Sequence, residues 1–208
     1  MLIGVDLDNT IIKYDELFRQ LVAEQGLLND DGVMSKQEVR DSLRKQPGGE
    51  QAWTDIQALV YGPRIHEALA FAGALAFFEC CHRHNVETCI VSHKTQFAAS
   101  DKGKTTNLRT VAMAWLEENS FFSTLTPLGV NDVYFASTRQ AKVSKIAELG
   151  CDMFIDDLLE VFIEPGFPEQ AEQFLFLPNA LSAPVGFSGT LCTAWDEMTA
   201  RLEARYGA

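Results

Sequence analysis

The sequence predicts an α/β fold: a Rossmann-like doubly wound parallel sheet interrupted by a small helical insertion. Three observations carry that expectation. The chain opens on Leu2-Ile3-Gly4-Val5, an apolar run too short for a helix and suited to a strand buried on both faces. From residue 73 onward, short apolar runs alternate with helical stretches, the pattern of parallel strands joined by helical crossovers. Between these two regions lies a polar block with helical periodicity and no strand.

The first strand runs directly into Asp6-Leu7-Asp8-Asn9-Thr10. Over residues 14–25, Leu17, Leu21 and Val22 form a helical stripe. Ser35 and Glu38 make a capping box that opens a polar helix ending near Gln46. Pro47-Gly48-Gly49 breaks it, and residues 51–61 form a third helix before Gly62-Pro63. Residues 14–68 are therefore expected to form the insertion, and residues 1–13 and 69–208 the sheet-bearing core. Within that core, a helix rich in alanine and phenylalanine over 73–84 ends at Asn85. The second strand, Thr88-Cys89-Ile90-Val91-Ser92, follows. A helix over 105–118, a strand over 132–135 and a helix over 140–149 closed by Gly150 come next. Strands over 153–155 and 173–177 and a helix over about 194–205 complete five strands. Ser100-Asp101-Lys102-Gly103-Lys104 reads as a mobile loop.

Composition narrows the partners. The 208 residues carry a formal charge of −12, which excludes a nucleic-acid binder that tracks phosphates with a basic face. It equally disfavours an anionic membrane surface. Apolar content of 47% is ordinary for a globular chain. No apolar stretch approaches the ~20 residues of a membrane span, and no signal peptide precedes the first strand, so a cytoplasmic protein is expected. Its five cysteines, odd in number and set in apolar segments, are expected to be buried and reduced. The expected assembly is a monomer or homodimer.

Three strand ends carry groups capable of chemistry. The first delivers Asp6 and Asp8, the second Ser92, and the fourth Asp156-Asp157; Lys142 and Lys145 lie early on the helix before the fourth. In parallel sheets that edge is where ligands bind. Two crowded carboxylates there push their pKa values apart, so one stays ionised while the other carries a proton. Each feature also has a structural explanation. D-x-D-N-T resembles the start of a calcium loop, but the glycine, the preceding helix and the distant glutamate of that loop are missing. Ser92 alone could be a turn hydroxyl, Asp156-Asp157 a helix N-cap, and either lysine a solvated helix face. Their order along the chain, each after or beside its own strand, is the informative part.

That order resembles the haloacid dehalogenase-like superfamily, with its strand ending D-x-D-x-T, strand ending in Ser or Thr, lysine, and strand ending in paired acids. The resemblance covers residues 1–12 and roughly 70–177. It implies a Rossmann-like sheet with the first strand central, and it sets the helical insertion where the superfamily places a C1 cap, which closes over small substrates. It further implies a Mg²⁺-dependent phosphatase acting on a small phosphorylated metabolite. Asp6 would be the nucleophile that forms an aspartyl-phosphate, and Asp8 the acid/base. Thr10 would fix the loop, and Ser92 would bind phosphate with neighbouring His93 able to touch substrate. Asp156 and Asp157 would bind the metal with Asp6 and the backbone carbonyl of Asp8, and Glu160 would hold a metal-bound water. Asp8 speaks against carbon–halogen chemistry, because haloacid dehalogenases lack the second aspartate. A nucleotidase or phosphotransferase with the same chemistry, or a non-catalytic phosphate-binding relative, are the alternatives.

Electrostatics supports a metal and a lysine independently. A phosphate of charge about −2 meeting three ionised carboxylates costs roughly 4 kcal/mol per close pair at an effective dielectric near 20. Oxygen ligands suit Mg²⁺ rather than zinc. Lys142 is favoured over Lys145, which sits about one 5.4 Å turn farther along the helix; Lys94 and Lys102 are outside candidates. Cys80-Cys81-His82-Arg83-His84 lacks zinc-site spacing, since adjacent helical residues point apart.

Overall fold

In the computed structural model, which describes residues 1–29 and 34–206, the opening apolar run is β1 (Leu2–Val5). The next elements are β2 (Ile12–Lys13), α1 (Asp15–Glu24), α2 (Lys36–Arg44), α3 (Gly49–Val60), β3 (Leu69–Ala70) and α4 (Ala74–Arg83). Then come β4 (Glu87–His93), α5 (Leu108–Glu118), β5 (Val133–Ala136), α6 (Arg139–Leu149) and β6 (Met153–Asp156). The chain finishes with α7 (Leu159–Phe162), β7 (Glu172–Phe176), β8 (Thr190–Cys192) and α8 (Trp195–Tyr206). Residues 30–33 of the expected insertion and 207–208 of the expected core lie outside the described residues.

Six strands form one sheet in the order β5-β4-β1-β6-β7-β8, and every neighbouring pair is parallel. This is the predicted α/β architecture with β1 at its centre. The sixth strand, β8, was not predicted. Its three residues follow a stretch rich in glycine, serine and proline that reads as loop. Because β4 and β6 leave on opposite sides of β1, the carboxyl end of β1 is the topological switch point.

The chain divides into two compact units. The first, Met1–Ile12 with Ala70–Lys94 and Leu116–Ala208, contains the whole six-stranded sheet. On one sheet face, Val143 and Ile146 of α6 pack with Cys89, Val91, Phe154 and Leu175. On the other, Trp195 lies 5.1 Å from Phe77 and 5.6 Å from Phe176, centroid to centroid. All five cysteines are free and buried. The Cys89 and Cys151 sulfurs lie 3.9 Å apart beside Gly4, which pairs with Cys89 in the β1–β4 register. A Cβ on Gly4 would lie 2.5 Å from the Phe154 ring and 2.9 Å from the Cys151 sulfur. Gly4→Ala is therefore expected to cost about 1–3 kcal/mol of stability as an overpacked core, read as a lower midpoint of denaturant unfolding.

The second unit, Lys13–Leu69 with Thr95–Trp115, contains α1 to α3. It is larger than the expected insertion over 14–68 because residues 95–115 join it. Phe18 stacks on Trp53 at 4.9 Å, and Tyr14 meets Tyr61 edge-on at 4.9 Å. The Ser35–Glu38 capping box forms as predicted. Trp115 Nε1 donates to the Ala68 carbonyl at 2.9 Å and Ser100 Oγ to the Thr54 carbonyl at 3.3 Å, tying in the later segment. The loop expected to be mobile is organised by Asp101, which accepts from the backbone N–H groups of Thr105 and Thr106 at 3.1 and 2.9 Å. No described helix is long and apolar enough to cross a membrane.

Candidate active site

The site is built on the carboxyl end of β1. Asp6 N–H donates to the Ile155 carbonyl at 2.9 Å, so the nucleophile candidate is still held by the sheet. The chain then turns tightly. Ile11 and Ile12 both donate to the Leu7 carbonyl at 3.0 Å, and Asn9, at φ +63, donates to Ile12 at 2.9 Å. Asparagine tolerates this left-handed conformation better than most side chains. Leu7, Ile11 and Ile12 are fully buried, which anchors the turn. Thr10 is buried as well. Its hydroxyl lies 3.5 Å from Asp6 Oδ2, and its carbonyl accepts from Trp195 Nε1 at 3.1 Å.

Helix α6 starts at Thr138, whose hydroxyl caps Ala141 N–H at 3.1 Å. That start brings Lys142 in the first turn to the strand ends. Its ammonium lies 2.5 Å from Asp6 Oδ1 and 2.6 Å from Asp156 Oδ2, with the side chain 2% exposed. Lys145 faces outward, partly exposed, and pairs with Glu148 at 2.7 Å. Lys102 is exposed. Asp156 is fully buried, and its Oδ1 accepts from Leu158 N–H at 3.0 Å.

Charge is not balanced within this cluster. Burial pushes the Asp6 carboxyl up to about 7; Lys142 pulls it back, while Asp156 and Asp8 add to the rise. Burial also works against the Lys142 ammonium, yet Asp156 and Asp6 outweigh it and hold its pKa above the ordinary lysine value. One ammonium between two carboxylates neutralises one of them, and the shortage falls on Asp6. Ligand oxygens of Asp6, Asp156 and Asp157 lie within 4.8 Å of one another, a group able to hold a metal ion that would supply the missing charge. All the donors are carboxylate oxygens, which suits a hard cation.

The remaining candidates are placed unequally. Ser92, at the end of β4, is buried and its hydroxyl has no hydrogen-bond partner among the described residues. A buried polar atom of this kind calls for an explanation, and a phosphoryl oxygen would satisfy it. Thr88, at the opposite end of β4, shares the feature, so position at the carboxyl edge is what distinguishes Ser92. His93 is exposed, with its ring Nε2 3.2 Å from the Ser137 carbonyl. Glu160 is exposed and Asp157 half-buried. Lys94, an outside candidate for the site lysine in the sequence, is paired instead with the second aspartate. Its ammonium is buried against Asp8 Oδ2 at 2.8 Å. The available signal was its position two residues past Ser92 on the same strand edge.

Solved structures match this chain over nearly its whole length. A HAD family hydrolase from Deinococcus radiodurans R1, with bound phosphate and sodium, is 14% identical with a TM-score of 0.58, over 98% of this chain and 95% of that one. The HAD-hydrolase YfnB from Bacillus subtilis, bound to magnesium, is 14% identical with a TM-score of 0.57, over 97% of each chain. The chain has the haloacid dehalogenase-like fold. Protein Tyrosine Kinase A of Mycobacterium tuberculosis has the same fold, with a TM-score of 0.59 and 13% identity over 97% of each chain. No protein-family model matches the sequence, and no curated protein does. In this fold the parallel order around β1 puts Asp6, Asp8, Ser92 and Asp156 at one sheet edge.

Proposed function

We propose that the protein is a Mg²⁺-dependent phosphatase that hydrolyses a small phosphorylated metabolite through an aspartyl-phosphate on Asp6. The observation that carries this reading is the Asp6–Lys142–Asp156 cluster at the switch point, with Asp8 two residues on and paired to its own cation. In the first step an Asp6 oxygen attacks phosphorus while the departing alkoxide takes a proton from Asp8. In the second, Asp8 takes a proton from water, which attacks the aspartyl-phosphate and releases inorganic phosphate. Ser92 and Lys142 would hold phosphoryl oxygens, since such transfers depend mainly on positioning and charge stabilisation. Asp6, Asp156, Asp157 and the Asp8 carbonyl would hold the Mg²⁺, which would neutralise charge on the phosphoryl group. The magnesium in the Bacillus structure and the phosphate in the Deinococcus structure support this choice of ligands.

The test is phosphate release from a panel of phosphorylated sugars, nucleotides and short organic acids, with Mg²⁺ and with EDTA. Release only with Mg²⁺ is the expected outcome. Transfer to an added alcohol or protein acceptor without release would favour the phosphotransferase alternative, to which the tyrosine kinase neighbour gives some weight. Mg²⁺ should also raise the thermal midpoint, because it binds the folded state. Asp157→Ala should weaken that shift severalfold; an unchanged Mg²⁺ titration would remove Asp157 from the metal site.

A further inference from the structure

We propose that Lys94 is a positioning residue that holds the Asp8 carboxylate in the orientation its proton transfers require; this rests on the phosphatase reading above. The two aspartates have separate cations. Lys142 meets Asp6 at 2.5 Å, and Lys94 meets Asp8 at 2.8 Å. Both ends of the second pair are fixed by the backbone. Lys94 N–H donates to the Ala136 carbonyl at 2.9 Å, carrying the β4–β5 ladder one residue beyond β4. Asp8 is bridged to Ile12 across the turn. The Lys94 side chain is only 3% exposed, whereas that of Asp8 is 19% exposed. A methionine would fill the same space without the cost of burying a charge. What the charge adds is a fixed place for one oxygen of Asp8, and hence for the plane of its carboxylate. Proton transfer falls off steeply when the donor is displaced by even an ångström.

The experiment compares wild type, Lys94→Met, Asp8→Asn and the double variant with Mg²⁺, on an alkyl phosphate and on p-nitrophenyl phosphate. Lys94→Met should lower kcat on the alkyl ester by about 10²-fold, the scale of a misplaced catalytic group, with KM little changed. The loss should be much smaller in the rapid-quench burst of nitrophenolate, whose leaving group departs without a proton, although steady-state turnover of that ester should fall because Asp8 must still activate water. Because Lys94 acts through Asp8, the double variant should be no slower than Asp8→Asn alone. Losses that multiply, a raised KM with unchanged kcat, or a nitrophenolate burst slowed as much as alkyl-ester turnover would overturn the proposal, assigning Lys94 to phosphate binding or packing. Thermal unfolding checks each variant. If Lys94→Met does not fold, Lys94→Gln retains a donor for Asp8 and should show a smaller loss with the same spared burst; a burst slowed as much as alkyl-ester turnover would again overturn it. A wild-type protein that hydrolyses neither these esters nor the panel would instead refute the phosphatase reading, and the Lys94 role with it.

Discussion

Asp6→Asn should abolish turnover of every phosphate ester while leaving the fold intact. The amide has the shape of the carboxylate but no nucleophilic oxygen, so no aspartyl-phosphate can form. Loss of a nucleophile that acts as part of a catalytic unit can reach the order of 10⁶-fold. Stability should not suffer, because Asp6 is the carboxylate for which charge runs short. Burial has already pushed it up to about 7, so a neutral side chain suits the metal-free site. The thermal midpoint in EDTA should therefore match or exceed that of wild type. Mg²⁺ should raise it less than in wild type, since one ligand charge is gone. Readily measured turnover in a folded Asp6→Asn protein would rule out the covalent mechanism.

Asp8→Asn should separate the two chemical steps. As acid, Asp8 is needed when a poor leaving group departs; as base, it is needed when water attacks. Asparagine serves neither purpose but keeps the backbone carbonyl offered to the metal. An activated aryl phosphate should still phosphorylate Asp6, giving a rapid-quench burst followed by near silence. Turnover of alkyl phosphates should fall by the ~10²–10⁴-fold typical of losing a general acid or base. Equal steady-state rates for variant and wild type on both ester types would refute the role.

The aspartate pair, Ser92 and Asp156-Asp157 were legible because each follows an apolar run that must end at the edge of a buried parallel sheet. Strand length and the direction of the crossovers then leave little choice about where those side chains emerge. Preference for Lys142 over Lys145 could be argued from helical rise alone, and the structure places the first against Asp6 and Asp156 and the second toward solvent. Lys94 was harder to read. A lone lysine just past a strand normally extends into water, and its burial depends on the β4–β5 ladder continuing to Ala136, a tertiary fact with no local signature. The joining of Thr95–Trp115 to the second unit had the same cause. It hangs on long-range contacts such as Trp115 to Ala68, which periodicity does not report. In β8, three residues are too few for any period to show.

The central place of β1 also governs how the protein must fold. Its two neighbours are β4 and β6, which pair with it through residues 87–90 and 153–155. During synthesis one edge of the first strand therefore stays open until β4 emerges, and the other until β6 does, when most of the chain has been made. Loop closure on that scale precedes any reward from pairing, so folding should be slow relative to domains of local contacts. The vulnerable interval comes before β6 arrives, when an open strand edge invites association with other chains. A truncated chain ending near Gly150 should accumulate as aggregate even though it contains β1, β4, β5 and every residue of the proposed site except Asp156 and Asp157.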